Sequence, residues 1–209
     1  MLRRRQSGHT LLHVILLGST RVLSLHLDST PPPYSWAREY NVFCHTLSCR
    51  PSPDLRAENA SHNKAYKAIF PFYTEQQSWC SCGPTSASIV VNAMATQNLT
   101  DETRIRHDCS QPTCETTYQE VANLITCNHL HVRVVPANES SLPKFREDLK
   151  RAFSADPVQL IVANYHRCAV HQPLGAGHHS PIGAYDEGTD EVLVLDVHYS
   201  VYPPTWFPL

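Results

Sequence analysis

Two cysteines one residue apart, Cys80 and Cys82, stand in QQSWCSCGPTSASIVVNAM, residues 76–94. After Cys82 come Gly83 and Pro84, then a run of small and apolar side chains that fits a buried helix over 83–95. A cysteine at the head of a helix meets free backbone amides and the positive end of the helix dipole. Both favour thiolate over thiol and so make a better nucleophile. The plainer reading of Cys82 is a small buried cysteine packed under the helix, and the helix alone does not decide between the two. Cys80 lies two residues too early to share that terminus. It reads as a bystander, neither nucleophile nor metal clip nor disulfide half.

Three more residues bear on the choice. Gln76, six residues before Cys82, could turn its side-chain amide toward a developing oxyanion, with the Cys82 amide as second donor. Taken alone it is equally a solvated loop residue. His178 and Asp196 flank the turn sequence DEGTD, residues 186–190, almost evenly. Residues so placed about a hairpin turn lie nearly opposite on adjacent strands, and a bulge can absorb the one-residue offset. A carboxylate inside the apolar run VLVLDV is costly to bury unless paired, and His178 is placed to be its partner. An imidazole held by a carboxylate is a tuned base; it is also what any satisfied strand histidine looks like. Strand alternation turns His179 away from the face of His178, and His198 reads as a surface histidine.

The elements that must position these groups are readable. Thr116 and Thr117 ahead of Gln119 and Glu120 form a capping box for a helix bearing Val121, Leu124 and Ile125. Ser141 caps LPKFREDLKRAF, with a proline in the first turn. HVRVV at 131–135 and VQLIVANYH at 158–166 read as strands, and HSPIGAY and EVLVLDV as a hairpin. Helices precede strands, which predicts an α+β fold and not a doubly wound parallel sheet.

The 209 residues suffice for one domain with a real core. A net charge of −2 gives no bulk attraction to nucleic acid or acidic membranes, and no apolar stretch of 18 residues is present to span a bilayer. The eight cysteines contain no CxxC, and neither Cys44/Cys49 nor Cys109/Cys114 has a familiar zinc-ligand spacing. Three early arginines and the apolar run 11–17 have the outline of a secretory signal or transit peptide, and STPPPYS at 29–35 reads as a linker. The predicted division is thus 1–35 as targeting segment and linker and 36–209 as the catalytic domain.

The segment GHHSPIGAYDEGTDEVLVLDVHYSVYPPTWFPL, 177–209, resembles the phytochelatin synthase signature GHxSPIxxY…D…LxLDVxxxxYPPxW. The region around Cys82 resembles the family's nucleophile segment, and NYHR at 164–167 resembles the strand before its histidine. The resemblance covers roughly residues 65–209. It implies a papain-like cysteine enzyme, with a helical N-terminal half carrying the nucleophile and a C-terminal antiparallel sheet carrying His and Asp. By residue match it makes Cys82 the nucleophile, His178 the base and then acid, Asp196 its orienter and Gln76 an oxyanion donor.

The implied substrate is glutathione. A γ-Glu-Cys acyl-enzyme would pass its acyl unit to a second glutathione, present as a cadmium or zinc thiolate complex, with no tightly bound cofactor. A cytoplasmic location is implied by the family, in tension with the leader-like N-terminus. Three departures stand out. Tyr199 and Val201 replace an arginine and a lysine common in the family, CGPT replaces CGxAS, and the sequence ends soon after WFPL. A hydrolase with the same triad, and a non-catalytic metal binder using Cys109, Cys114, Cys127 or Cys168, are the alternatives.

Overall fold

The computed structural model describes residues 11–17, 50–51, 64–97, 116–170, 172 and 177–209. Among them is one seven-stranded mixed sheet with helices packed on it, an α+β architecture. The strands are β1 (Leu11–Leu17), β2 (Arg50–Pro51), β3 (His131–Val135), β4 (Ile161–His166), β5 (Gly177–Asp186), β6 (Glu191–Val194) and β7 (Thr205–Pro208). Their order across the sheet is β2-β7-β6-β5-β4-β1-β3.

From β4 to β7 every pairing is antiparallel, as the hairpin pattern predicts. The other side of the sheet differs from expectation. Strand β1 comes from the segment with leader-like composition, and it lies parallel to both β3 and β4. A short apolar run has the same composition whether it is a signal core or a strand of a mixed sheet. Residues 1–10 and 18–35 of the predicted targeting segment and linker lie outside the described residues.

The β5–β6 hairpin turns through 187–190 and carries a register shift between Ile182 and Ala184. That irregularity is the bulge anticipated from the His178/Asp196 spacing. Gly183 sits in it, and a Cβ there would meet the Leu195 side chain at 3.0 Å.

Four helices complete the described fold: α1 (Lys64–Ile69), α2 (Cys82–Gln97), α3 (Tyr118–Cys127) and α4 (Leu142–Ser154). The two predicted caps form. Thr117 and Glu120 make a reciprocal capping box on α3, and Ser141 accepts from the Lys144 amide at the head of α4, with Pro143 in the first turn. Helix α2 packs against β5, with α1 and α3 beside it. Its Ile89, Val90 and Met94 join Ile69, Ile125, Leu149, Leu160, Ile161 and Ile182 in one buried core. Each such large side chain contributes ~1.5–3 kcal/mol by leaving water. Helix α2 and strand β5 are therefore fixed to each other through the core.

Candidate active site

Helix α2 begins at Cys82, and the Thr85 amide donates to the Ser81 carbonyl to close its first turn. Cys82 thus stands in the first turn, where backbone amides have no partner within the helix. Gly83 follows because nothing larger fits. A Cβ at that position would lie 1.9 Å from Thr116 Oγ1 and 2.8 Å from Val121 Cγ2. The glycine lets the head of α2 press against the start of α3.

Cys82 is buried and its thiol is free. It lines a cleft of about 420 Å³ together with Gln76, Trp79, Asn164, His178 and His179, among others. Both histidines face its thiol. The Sγ to His179 Nδ1 distance is 3.8 Å. Burial alone would push the thiol up. The two histidines facing it outweigh that and bring the Cys82 pKa down to about 5.

His178 presents Nε2 to Asp196 Oδ1 at 2.8 Å, so Nδ1 is the ring nitrogen left to meet the thiol. Burial lowers its pKa, but the charge and hydrogen bond of Asp196 and the contact with Cys82 prevail, and the net direction is upward. Tyr165 stacks edge-on against the ring at 5.7 Å and limits its rotation.

Asp196 lies two residues past the end of β6 and is almost wholly buried. One imidazole would not satisfy such a carboxylate. It also receives Arg167 Nη1 at 2.8 Å and Nη2 at 3.2 Å, Gln172 Nε2 at 3.3 Å and the His198 backbone amide at 2.9 Å. Burial favours its protonated form, yet Arg167 and His178 hold it well below the ordinary carboxylate range. Arg167 is itself buried and lies over the Tyr202 ring at 4.5 Å. The carboxylate remains charged and immobile at neutral pH, as an orienter of an imidazole must.

The structure brings Cys82, His178 and Asp196 together. Gln76 also lines the cleft, and its backbone amide donates to the Val197 carbonyl at 2.7 Å. Its side-chain Nε2 donates to the Ser78 and Trp79 carbonyls at 2.9 and 3.2 Å, while Oε1 is buried with no partner. To serve an oxyanion, this amide would have to give up one of those carbonyls.

Three expectations need correction. His179 does not turn away from Cys82. The thiol sits at the beginning of β5, near enough to the strand end for consecutive residues to reach it. His198 is half-buried at the cleft wall, edge-on to Trp79 at 4.8 Å, and is not a plain surface residue. Cys80 is disulfide-bonded, as is Cys127. The segment carrying the candidate nucleophile therefore does hold a disulfide half, two residues from the free thiol. Cys44, Cys49, Cys109 and Cys114 lie outside the described residues. Among the described residues no group of three or more His, Cys, Asp or Glu is arranged to hold a metal ion.

Sequence reasoning gave no role to Arg167, Asn164 or Gln172. A signal existed for the first: a buried aspartate with one named partner still lacks donors, and Arg167 directly follows the strand paired with that of His178.

The family model for phytochelatin synthase matches residues 47–209. A glutathione gamma-glutamylcysteinyltransferase 3 from Lotus japonicus is 34% identical over 155 residues, covering 68% of this chain and 32% of that protein. The glutathione gamma-glutamylcysteinyltransferase 1 of Triticum aestivum is 32% identical over 155 residues, covering 68% and 30%. A glutathione gamma-glutamylcysteinyltransferase of Schizosaccharomyces pombe is 29% identical over 93 residues, covering 44% and 22%. The chain thus spans about a third or less of the length of these curated relatives. The matched region contains Cys82, His178 and Asp196, and by that match the chain belongs to the phytochelatin synthase family.

Proposed function

We propose that this protein is a papain-like thiol acyltransferase that acts on glutathione, with residues 36–209 as its catalytic domain. The observation that carries the reading is a buried thiol at a helix head in contact with an imidazole that a charged, buried aspartate holds. The thiolate of Cys82 attacks the carbonyl carbon of the Cys-Gly peptide bond. The oxyanion is met by the Cys82 backbone amide and, once it releases a loop carbonyl, by the Gln76 amide. Protonated His178 gives its Nδ1 proton to the departing glycine nitrogen, the C–N bond breaks, and a γ-Glu-Cys thioester remains on Cys82. Asp196, fixed by Arg167, keeps the imidazole aligned through both steps.

A second glutathione then accepts the γ-Glu-Cys unit on its free amine, returning a proton to the site and freeing Cys82. Cadmium or zinc would arrive as the thiolate complex of this acceptor, as substrate and not as a resident cofactor. If water takes the acceptor's place, the product is free γ-Glu-Cys and the protein acts as a hydrolase.

The test is purified protein with glutathione, with and without cadmium, and products resolved by mass. Oligomers (γ-Glu-Cys)n-Gly with released glycine are expected. γ-Glu-Cys alone assigns the hydrolase. Cys82→Ala should remove glycine release entirely, and release that survives the substitution overturns the scheme.

A further inference from the structure

The thiol of Cys82 has two imidazoles and not one, and each imidazole has its own second partner. His178 is held by Asp196. His179 is held by Asn164, whose Nδ2 lies 2.8 Å from His179 Nε2 and 3.4 Å from its Nδ1. The same amide nitrogen faces the His178 carbonyl oxygen at 3.5 Å, where an amide oxygen would be repelled. The Asn164 side chain is therefore oriented with its nitrogen toward the ring, and the His179 Nε2 accepts from it. An imidazole whose Nε2 accepts carries its proton on Nδ1. That Nδ1 is the atom 3.8 Å from Cys82 Sγ.

The placement is built from both sides. Asn164 and His179 are direct partners in the β4–β5 register. Ser86, one turn into α2, donates to the His179 carbonyl at 3.0 Å and ties that residue to the helix bearing the thiol. Both Ser86 and His179 are buried. The charged and titratable groups near the ring are Cys82 from α2 and His178 beside it on β5. Arg167 after β4 and His198 after β6 also line the cleft, and Arg167 is committed to Asp196.

We propose that His179 is a second catalytic histidine, one that donates its Nδ1 proton as a standing hydrogen bond to the Cys82 thiolate and leaves proton transfer to His178. The two rings divide the work by tautomer. The carboxylate of Asp196 accepts a proton from His178 Nε2 and so leaves its Nδ1 to take or give one. The amide of Asn164 donates to His179 Nε2 and so fixes a proton on its Nδ1. A standing donor holds sulfur as thiolate when His178 is not itself charged. It also stabilises sulfur as the leaving group when the thioester is opened by the acceptor.

The inference rests on Cys82 being the reacting thiol, and alkylation by iodoacetamide, followed at the Cys82 peptide by mass, reads that thiol directly, whatever its substrate. The rate is followed against pH for wild type, His179→Phe and His179→Gln. Phenylalanine keeps an aromatic ring without a donor; glutamine keeps a donor of similar reach. In His179→Phe the acid limb should move up by about one pH unit, so alkylation below the limb falls about tenfold while the rate at high pH is retained. His179→Gln should restore most of the difference. An unchanged limb in His179→Phe, with the variant folded by circular dichroism, overturns the proposal. So does a limb moved equally in both variants, which is what a packing role would give. Glycine release from glutathione by wild type is scored separately. Its absence together with a shifted limb would sink the acyltransferase reading and leave the role of His179 intact.

Discussion

Strand β5 has an arginine–aspartate pair near each end, and the two pairs live under different physics. Beside its start, Arg167 and Asp196 are buried, with side chains 5% and 2% exposed. Beyond its far end, Arg146 of α4 meets Asp190 of the turn with side chains 30% and 38% exposed. The outer pair has good geometry, with Arg146 Nε at 2.8 and 3.0 Å from the two carboxylate oxygens and Tyr185 donating to one of them at 2.8 Å. It fastens the hairpin tip to α4 in high dielectric, where ion pairs contribute little. The inner pair has lost its water. Its attraction must offset two desolvation penalties, so stability alone is a poor reason to keep it. Its use is to hold a charged carboxylate against His178.

The contrast can be tested by breaking it. Asp196→Asn should leave the ring of His178 without its anionic partner and lower the rate of glycine release by roughly 10³- to 10⁴-fold, with the far-UV spectrum retained. Arg167→Met should strand a buried carboxylate and cost about 3–5 kcal/mol in denaturant unfolding, as expected when one member of a buried pair is removed. The double variant Arg167→Met with Asp196→Asn should recover much of that stability but no activity. A stability loss in the double variant equal to the sum of the two single losses would show that the pair is not coupled.

The pH profile sharpens the same point. Cys82 is lowered to about 5, so the thiolate is lost as pH falls through that value. His178 is raised, so its protonated form is lost only above the ordinary histidine value of about 6.5. Glycine release should follow a bell with its acid limb near pH 5 and its alkaline limb above that histidine value. Asp196, held well below the carboxylate range, adds no limb between them. Its contribution to stability is fully present above the ordinary aspartate pKa and disappears only as pH falls through the depressed one.

Smaller effects belong to features away from the cleft. Thr117→Ala removes the side chain that caps α3 and should cost about 1 kcal/mol, read by thermal unfolding. Asp190→Asn should change activity least of all. Asparagine accepts the left-handed backbone at this position, φ 55°, and the pair with Arg146 is exposed and weakened by salt. A large loss of activity from Asp190→Asn would mean that the hairpin tip is coupled to the cleft.

What could be read from the residues was whatever obeyed local rules. Both helix caps, the hairpin and its bulge follow from turn chemistry and from the cost of burying Asp196. His179 was misplaced because strand alternation predicts which face a side chain takes, not that a thiol at the strand's end is reached by neighbouring residues. Asn164 lies in a strand, and Arg167 just after it, whose neighbours in space are distant in sequence, and no local pattern marks a buried guanidinium. The bonding of Cys80 was not legible either, because eight cysteines admit 105 complete pairings and spacing does not select among them. Helix α1 and strand β7 are short, and their sequences carry no strong period. Tyr199, where the resemblance led to an expected arginine, packs on Tyr73 at 5.5 Å.

The first strand of the sheet has a consequence for how the chain reaches its native state. Leu11 pairs with His131, and Leu17 with Tyr165. Strand β1 therefore pairs only with segments more than a hundred residues further along the chain. Such long-range parallel closure is slow, because the loop entropy is lost before the contacts form. The cleft opens at the ends of β4 and β5, and β4 is the strand against which β1 must dock. The docking of β1 and the alignment of His178 and His179 over Cys82 thus share one strand, β4. Nascent chains stalled before residue 161 should hold a formed α2 and an inert thiol.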